Sequence, residues 1–470
     1  MGEPLGSSMR RETPMRIARP FVFLLLLILL SAAAAYAELE LNGTVSNQTR
    51  LRILQNDMLA DYDWDFTMLL SKIDVILRAQ DDERTARLFA NIDFRHDPTG
   101  VFENDFEWRL REVYAGYYQP YYSVEIGKRI YAWGLADEFN PTDLLNPEDY
   151  RWFISVDKTD RKIGVYSANL TLSYENFNLQ GVAIPVFEPV QLPEQDSDWR
   201  PWQLVSLDSL VGAFPDYVDL QDDTRPEMTV NNADVAAKLA GTIATVDFQL
   251  MYFNGFDDQP TFDINIIPDP NVVMEGGKPL ILREEYQRYA AYGGSFAFTV
   301  DKFSLRGEGA YYTPRYYMYE FDDSLMQVGN LFAAFDLMTG LADHTWRVRK
   351  PSWSAVGGID YRSGAELYVN MQYVHTQILD YEEDLLYEEN EGMVTLKVQS
   401  LLLDEELDLS FQGAANVWHG DWYIKPYVRY KLTVDLAAEL GIQLYGGDEK
   451  TTFGDMDDND FAYTLVEYAF

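Results

Sequence analysis

The chain has 470 residues, and its 37 basic and 76 acidic side chains leave a net charge of −39, which repels nucleic-acid phosphates and excludes a phosphate-driven binding function. It has no cysteine, which rules out a disulfide framework or a thiolate metal site. With 32 Tyr, 26 Phe and 10 Trp it carries too much aromatic surface for a disordered chain.

At the N-terminus, Arg16 and Arg19 precede an apolar run from Phe21 to Leu30, and small residues then lead to Ala35-Tyr36-Ala37. This is the layout of a cleaved signal peptide over residues 1–37. No later run approaches the roughly 20 apolar residues that a membrane helix needs. Residues 38–470 are therefore expected to form one exported domain, and to occupy a membrane only as a β-barrel.

Beyond Ala37 the hydrophobic period is two. Leu88, Ala90, Ile92 and Phe94 alternate with Asn91, Asp93 and Arg95, and Val246, Phe248, Leu250 and Tyr252 alternate with Asp247 and Gln249. Leu367, Val369, Met371 and Tyr373 alternate with polar residues, as do Leu407, Leu409 and Phe411. In Trp422 to Leu432 the even positions are apolar, with Pro426 among them, and the odd ones include Lys425, Arg429 and Lys431. Segments of about ten residues with this pattern predict an all-β, antiparallel transmembrane barrel.

Strands are predicted near 39–50, 64–78, 86–96, 107–118, 122–133, 161–174, 177–185, 233–241, 243–255, 287–299, 303–313, 353–361, 365–378, 392–403, 406–417, 421–432, 436–446 and 460–470. This makes 18 strands, with 16 as the alternative. Short links such as Gly241-Thr242, Val300-Asp301-Lys302, Arg362-Ser363-Gly364 and Val434-Asp435 alternate with long acidic ones at 186–232, 256–286, 313–352 and 446–459. Short periplasmic turns alternating with long extracellular loops mark an outer-membrane barrel, whereas a soluble sandwich need not show them. Phe470 ends an alternating last strand, as does the assembly signal read by the barrel-assembly machinery.

The segment Gly127-Lys128-Arg129-Ile130-Tyr131-Ala132-Trp133-Gly134, followed by Asn140-Pro141-Thr142-Asp143 and Asn146-Pro147, resembles a family of uncharacterised proteobacterial outer-membrane barrels with a Trp-Gly strand end and an Asn-Pro loop. More loosely it is similar to alginate-export-type porins, from which Lys128 and Arg129 depart. The resemblance implies passage or export of a substrate, with an inner-membrane exporter as an optional partner. Read physically, Trp133 stands at the height of an aromatic girdle, and Gly134 lets the chain leave the strand. Two alternatives stay open for the loop that carries Trp133, Gly134, Asn140, Pro141, Asp143, Asn146 and Pro147: a gate folded into the pore, or a surface loop anchored by Trp133.

With the oily faces toward lipid, Asp93, Arg95, Asp247, Arg306, Glu308, Asp408, Lys425, Arg429, Lys431 and Glu439 point into the lumen. They are read either as barrel-filling ion pairs or as a polar constriction. The acidic runs at 382–391 and 455–460 fit a solvated outer rim that gathers divalent cations against lipopolysaccharide and outer-membrane lipids; the second departs from a calcium loop at its sixth and twelfth positions. In 322–340 an apolar face at helical spacing, with Phe332 and Phe335, offers a greasy lid. The histidines His96, His344, His375 and His419 are scattered, so no enzyme, cofactor or metal is expected. The sequence thus suggests an outer-membrane channel for a hydrophobic or lipid-like substrate, with a general cation-preferring porin or a structural or adhesin barrel as alternatives.

Overall fold

A strand that alternates apolar and polar side chains is satisfied only when each face meets its own medium. The computed structural model, which describes residues 38–470 except 54–64, 103–104, 196, 214, 216, 268, 270, 273–274, 321–345 and 365, achieves this with a single closed sheet. The segments read above as the signal peptide and as the apolar lid, with Phe332 and Phe335, lie outside the described residues.

The wall is built in chain order from β1 (Glu38–Arg52), β2 (Phe66–Gln80), β3 (Ala86–His96), β4 (Phe106–Gln119), β5 (Tyr122–Arg129), β6 (Val165–Tyr174), β7 (Phe177–Ile184), β9 (Asp234–Ile243) and β10 (Val246–Phe256). It continues through β13 (Arg288–Val300), β14 (Phe303–Met318), β15 (Arg347–Ser363), β16 (Leu367–Ile378), β17 (Asn390–Leu402), β18 (Leu407–Asn416), β19 (Trp422–Lys431), β20 (Leu436–Gly446) and β21 (Phe461–Ala469). These 18 strands are antiparallel neighbours, and β21 pairs with β1 from Thr44↔Ala469 to Arg52↔Phe461. Closure leaves no sheet edge with unpaired backbone groups.

The outer face carries the apolar half of each alternation, with Ile126, Leu250 and Leu440 each more than half exposed. Tyr252, Tyr292, Tyr311 and Tyr373 form an exposed aromatic band toward the long-loop end, with the half-buried Trp353 beside them, and Tyr117, Tyr122, Tyr174, Tyr430 and Tyr468 form another toward the short turns. His375 lies in the first band, with its ring 5.1 Å from that of Trp353.

All 18 predicted strands are present, and their ends move for local reasons. The turn expected at Gly241-Thr242 is displaced to Ala244, whose φ of 56° makes the reversal, while Thr242 Oγ1 donates to Asp247 at 2.6 Å inside the extended ladder. The loop expected over 313–352 is shorter, because a bulge between Tyr312 and Arg315 absorbs Pro314 and pairing resumes up to Met318↔Arg347. β5 stops at Arg129, and residues 130–133 leave the wall. A feature not foreseen is a three-stranded sheet within the external loops, built from β8 (Val218–Thr224), β11 (Thr261–Ile266) and β12 (Leu280–Glu285). Val218, Ile264, Leu280 and Leu282 pack with Met318 and Trp346 at the top of the β14–β15 hairpin.

The terminal Phe470 exchanges two backbone hydrogen bonds with Gly43, at 3.0 and 2.9 Å. A Cβ on Gly43 would collide with the Phe470 ring and the Asp74 carbonyl. Gly43→Val is therefore expected to destabilise the closing seam by about 1–3 kcal/mol, the usual cost of overpacking. It should show as a smaller heat-modifiable fraction on gels than the wild type gives.

Candidate pore constriction

Residues 130–164, which join β5 to β6, bond to side chains of β1, β2 and β4 on one side of the wall and of β14 and β16 on the other. Only a segment inside the barrel can do so.

The fold of this loop begins at its neck. Gly127 takes a φ of 146°, after which Asn146 replaces the missing ladder: its Oδ1 accepts from Tyr131 N at 2.6 Å, and its Nδ2 donates to the carbonyls of Arg129 and Ile163. Lys162 ties the same neck to Asp143 at 2.6 Å and to the Tyr131 carbonyl. Trp133 is 2 % exposed and lies inside the barrel with Tyr131, Leu145, Phe253, Tyr289 and Tyr312. The expected place for Trp133 in the lipid-facing girdle is thus corrected: the strand ends four residues early, and Lys238 of β9 covers the indole ring at 5.0 Å.

Past Gly134 the loop is clamped to β14. The Glu308 carboxylate accepts from the backbone of Leu135 at 2.5 Å, Ala136 at 3.0 Å and Thr142 at 2.9 Å, and from Thr142 Oγ1 at 2.7 Å. Gly134 has a φ of 89°, and a Cβ there would come within 2.5 Å of Glu308 Oε1. No larger residue fits. The neighbouring Arg306 pairs with Asp360 and reaches Asp137 at 3.2 Å, Gln372 of β16 donates to Asp137 at 2.8 Å, and Tyr312 donates to the Pro141 carbonyl at 2.8 Å. Asn140 accepts from Lys158 at 2.6 Å, and the peptide after Pro147 leads to Asp149.

The second half of the loop is held by bases on β1 to β4. Arg50 donates to Ser155 Oγ at 2.7 Å; Lys72 and Arg111 hold Asp160 at 2.9 and 2.8 Å; Arg109 bridges Asp93 at 3.0 Å and Asp149 at 3.3 Å. Arg95 completes the cluster at 3.1 Å from Asp93. Although burial raises the Asp160 pKa, Lys72 and Arg111 outweigh it and hold the carboxyl down to about 2. Phe153 packs near Tyr445 and Phe453 on the β20–β21 side.

Toward β17 to β19 the loop meets the wall mainly by packing, with Trp152, Phe153, Ile154 and Val156 in one apolar cluster with Met393, Ala414, Tyr423 and Tyr427. Among the described residues, no hydrogen bond or ion pair joins the loop to β17 or β18, and β19 offers only Lys425, 4.0 Å from Asp157. On that arc Lys397, Gln412 and Lys425 sit side by side on three adjacent strands, through the pairings Lys397↔Gln412 and Gln412↔Lys425. The loop edge turned toward them carries Asp137 and Asp157, whose side chains are 50 % and 80 % exposed. Burial raises the pKa of Asp137, against the pull of Arg306.

The predicted lumen residues separate into groups. Asp93, Arg95, Arg306 and Glu308 hold the loop, and Lys425 faces its edge. Arg429 pairs with Glu439 at 3.5 Å and Glu467 at 2.7 Å, while Asp408 accepts from Gln399 and Ser410. Asp247 and Lys431 stand at the short-turn end, away from the loop. Sequence reasoning missed Arg50, Lys72, Arg109, Arg111, Lys397, Asp137, Asp157 and Asp160. Those on strands carry the alternation signal; the loop acids carry none, because nothing local marks which wall they meet. Toward the outside, Asp455 accepts from the Trp202 backbone at 2.7 Å within the acidic run 455–460.

No family model matches the chain, and no curated protein does. Solved structures match its fold. They include OccK8 (OprE) of Pseudomonas aeruginosa, 7 % identical with a TM-score of 0.50, which covers 93 % of this chain and 98 % of its own. OccK2 (OpdF) of the same organism, solved in complex with glucuronate, is 9 % identical with a TM-score of 0.50 over 93 % and 98 %. OccAB3 of Acinetobacter baumannii is 9 % identical over 92 % and 99 %, with a TM-score of 0.49. The chain thus has the closed 18-stranded architecture of outer-membrane porin structures.

Two outcomes are expected. Glu308→Ala leaves four donors of the loop without their acceptor, each worth about 1–3 kcal/mol when buried and unpaired, so the loop should detach while the barrel persists. Single-channel recordings should then show larger and noisier conductance than wild type, with heat-modifiable migration unchanged. Asp160 has a folded pKa below its unfolded value, so its contribution is present above about pH 4. It is lost as pH falls through about 2. Channel noise should rise over that window, and Asp160→Asn should show the noisy state already at neutral pH.

Proposed function

We propose that the chain is a passive outer-membrane channel for small water-soluble organic acids, with the passage running between the 130–164 loop and the β17–β19 wall. The observation that carries this is the row Lys397, Gln412 and Lys425 facing the exposed carboxylates of Asp137 and Asp157. Cations on one side and carboxylates on the other set a field across the passage, and a solute with a carboxylate at one end and hydroxyls along its length fits it. The carboxylate meets Lys397 or Lys425. The hydroxyls meet Gln412 on the wall and Asp137 and Asp157 on the loop. That one protein of the same fold binds glucuronate, a sugar acid, supports this class of solute.

The expected hydrophobic or lipid-like substrate rested on 322–340, which lies outside the described residues, and a charged row is a poor path for it. A second proposal is a cation-preferring porin, favoured by the acidic stretches 379–389 and 446–459 in the external loops. Such charge enriches cations at the mouth but reaches only about 8 Å at physiological salt, less than the depth of the passage.

Planar-bilayer recordings in a potassium glucuronate gradient separate these proposals. A sizeable glucuronate permeability is expected, reduced about tenfold by replacing Lys397 and Lys425 together with Gln. A strictly potassium-selective current, unmoved by that double change, would instead establish the cation-preferring porin. A silent barrel would leave the structural or adhesin role.

A further inference from the structure

The link between β7 and β9 is the longest of those described, and its first part crosses the mouth of the barrel. Counted from β1, β7 is the seventh strand of the wall, while β20 and β21 are the last two. Residues 185–213 leave the outer end of β7 and reach the far seam, where β20, β21 and β1 meet. On the way they lie on the 130–164 loop. Gln191 N donates to the Glu148 carbonyl at 3.0 Å, Tyr150 N donates to the Gln191 carbonyl at 2.8 Å, and Val190 N donates to the Asp258 carbonyl at 3.1 Å. Because the 130–164 loop stands inside the barrel, a segment bonded to its outer surface spans the opening and does not follow the rim.

At the far seam this strap is fastened by side chains. Trp199 is 5 % exposed, with its ring edge-on at 6.0 Å from that of Tyr445 and 6.2 Å from that of Phe461. Asn459 Nδ2 donates to the Asp198 carbonyl at 2.6 Å, Arg52 pairs with the Asp198 carboxylate, and Trp202 N donates to Asp455 Oδ2 at 2.7 Å. Lys450 stands over the Trp202 ring at 5.3 Å. A helix (Trp202–Ala213) then carries the chain back toward β14 and β15, where Val211 packs against the cluster of Val218, Met318 and Trp346. Its 12 residues span about 18 Å. The bend before the helix is stapled to it: Asp208 accepts from Arg200 Nη2 at 2.9 Å and from Gln195 Nε2 at 3.0 Å, and Arg200 also reaches the Pro193 carbonyl.

A surface loop without a task would rest on the rim and bury nothing within the wall, whereas Trp199 enters the interior cluster of Tyr445, Phe453 and Phe461. We infer that the strap is an outer size filter of the channel, with Trp199 as its latch, so that bulky solutes are turned away before they reach Lys397 and Lys425. A helix with its side chains is about 10 Å thick, and such a bar over an opening obstructs large molecules more than small ones. The two attachments differ in kind. The foot on the 130–164 loop is made by backbone groups, while the latch depends on the side chains of Trp199, Asn459 and Asp455. Substitution can therefore free the latch and leave the foot in place.

The filter rests on the channel reading proposed above. Its test uses the full-length protein in planar bilayers, with polyethylene glycols of graded mass added to one side at a time and their entry read from the drop in conductance. Trp199→Ala with Asn459→Ala releases the latch. Polymers about twice as heavy as those the wild type admits should then enter from the outer side, with the limit from the inner side unchanged. Asp455→Ala with Asn459→Ala releases it without touching the apolar cluster, and replaces the first variant if that one loses heat-modifiable migration. The chain has no cysteine, so Asp198→Cys and Asn459→Cys can be joined by a short bismaleimide in the folded barrel, and this fastened form should keep the wild-type limit. An unchanged outer limit in the released channel, an equal rise from both sides, or no cross-link in a heat-modifiable barrel would each overturn the inference. A barrel that conducts glucuronate but admits the same polymers latched and released loses the filter alone, whereas one that conducts nothing in either form loses the channel reading and the filter with it.

Discussion

Charge inside a barrel must find charge. Arg50 and Arg95 are 1 % and 3 % exposed and Asp93 is fully buried, and an uncompensated ion at such sites costs several kcal/mol. On β1 to β4, Arg50, Lys72, Arg95, Arg109 and Arg111 stand against Asp74, Asp93, Glu107 and Glu112, and Glu107 is taken up by Arg151 of the loop and Glu112 by the Ile130 N–H. The loop between β5 and β6 supplies the difference through Asp149 and Asp160. Its inward course is therefore set by the wall as much as by its own sequence. Remove the loop, and these wall bases lose those partners.

The opposite side works with reversed polarity. Glu308 is 5 % exposed and makes no ion pair among the described residues; it is satisfied by three backbone N–H groups and one hydroxyl of the loop. A carboxylate bound this way needs the loop backbone in one conformation, and the positive φ of Gly134 supplies it. Clamped at both ends, the loop crosses the lumen and meets β17–β18 without a hydrogen bond or ion pair among the described residues, by packing around Met393 and Ala414 alone. A constriction of this kind discriminates by fixed geometry rather than by adjusting to each solute.

Much of this barrel was legible in the sequence because closure and alternation are local rules written into every strand. Leu88 to Phe94 and Trp422 to Leu432 each carry their own inside and outside, and Phe470 marks the last. The loop was legible only in part. Trp133-Gly134 and the two Asn-Pro steps signal a turn out of the wall, but whether Trp133 faces lipid or lumen depends on Asn146 capturing the Tyr131 N–H, an interaction fifteen residues away. The pairing beyond Tyr312 was not legible for a related reason: a proline ordinarily ends an interior strand, and only the partner strand shows that a bulge accommodates Pro314. The rows that define the passage, Lys397 with Gln412 and Lys425, depend on register between strands, which alternation alone does not fix.

Beside the proposed passage the ladder of the wall is interrupted between Ile424↔Leu444 and Tyr427↔Gly441. Pro426 points outward and removes a donor from the β19–β20 ladder; Lys425, its neighbour, points inward and faces Asp157. Elsewhere the loop stiffens the wall from within, by tying β14 and β16 on one side and β1 to β4 on the other. Over β17 and β18 it does so only by apolar packing around Met393 and Ala414. The arc proposed for solute is thus tied to the loop by the Lys425–Asp157 pair and by apolar packing, and the rest of its stiffness comes from the ladder itself. A proline at that point removes one donor from the ladder, so the unbroken pairings of β17 with β18 and of β18 with β19 carry more of the arc's rigidity.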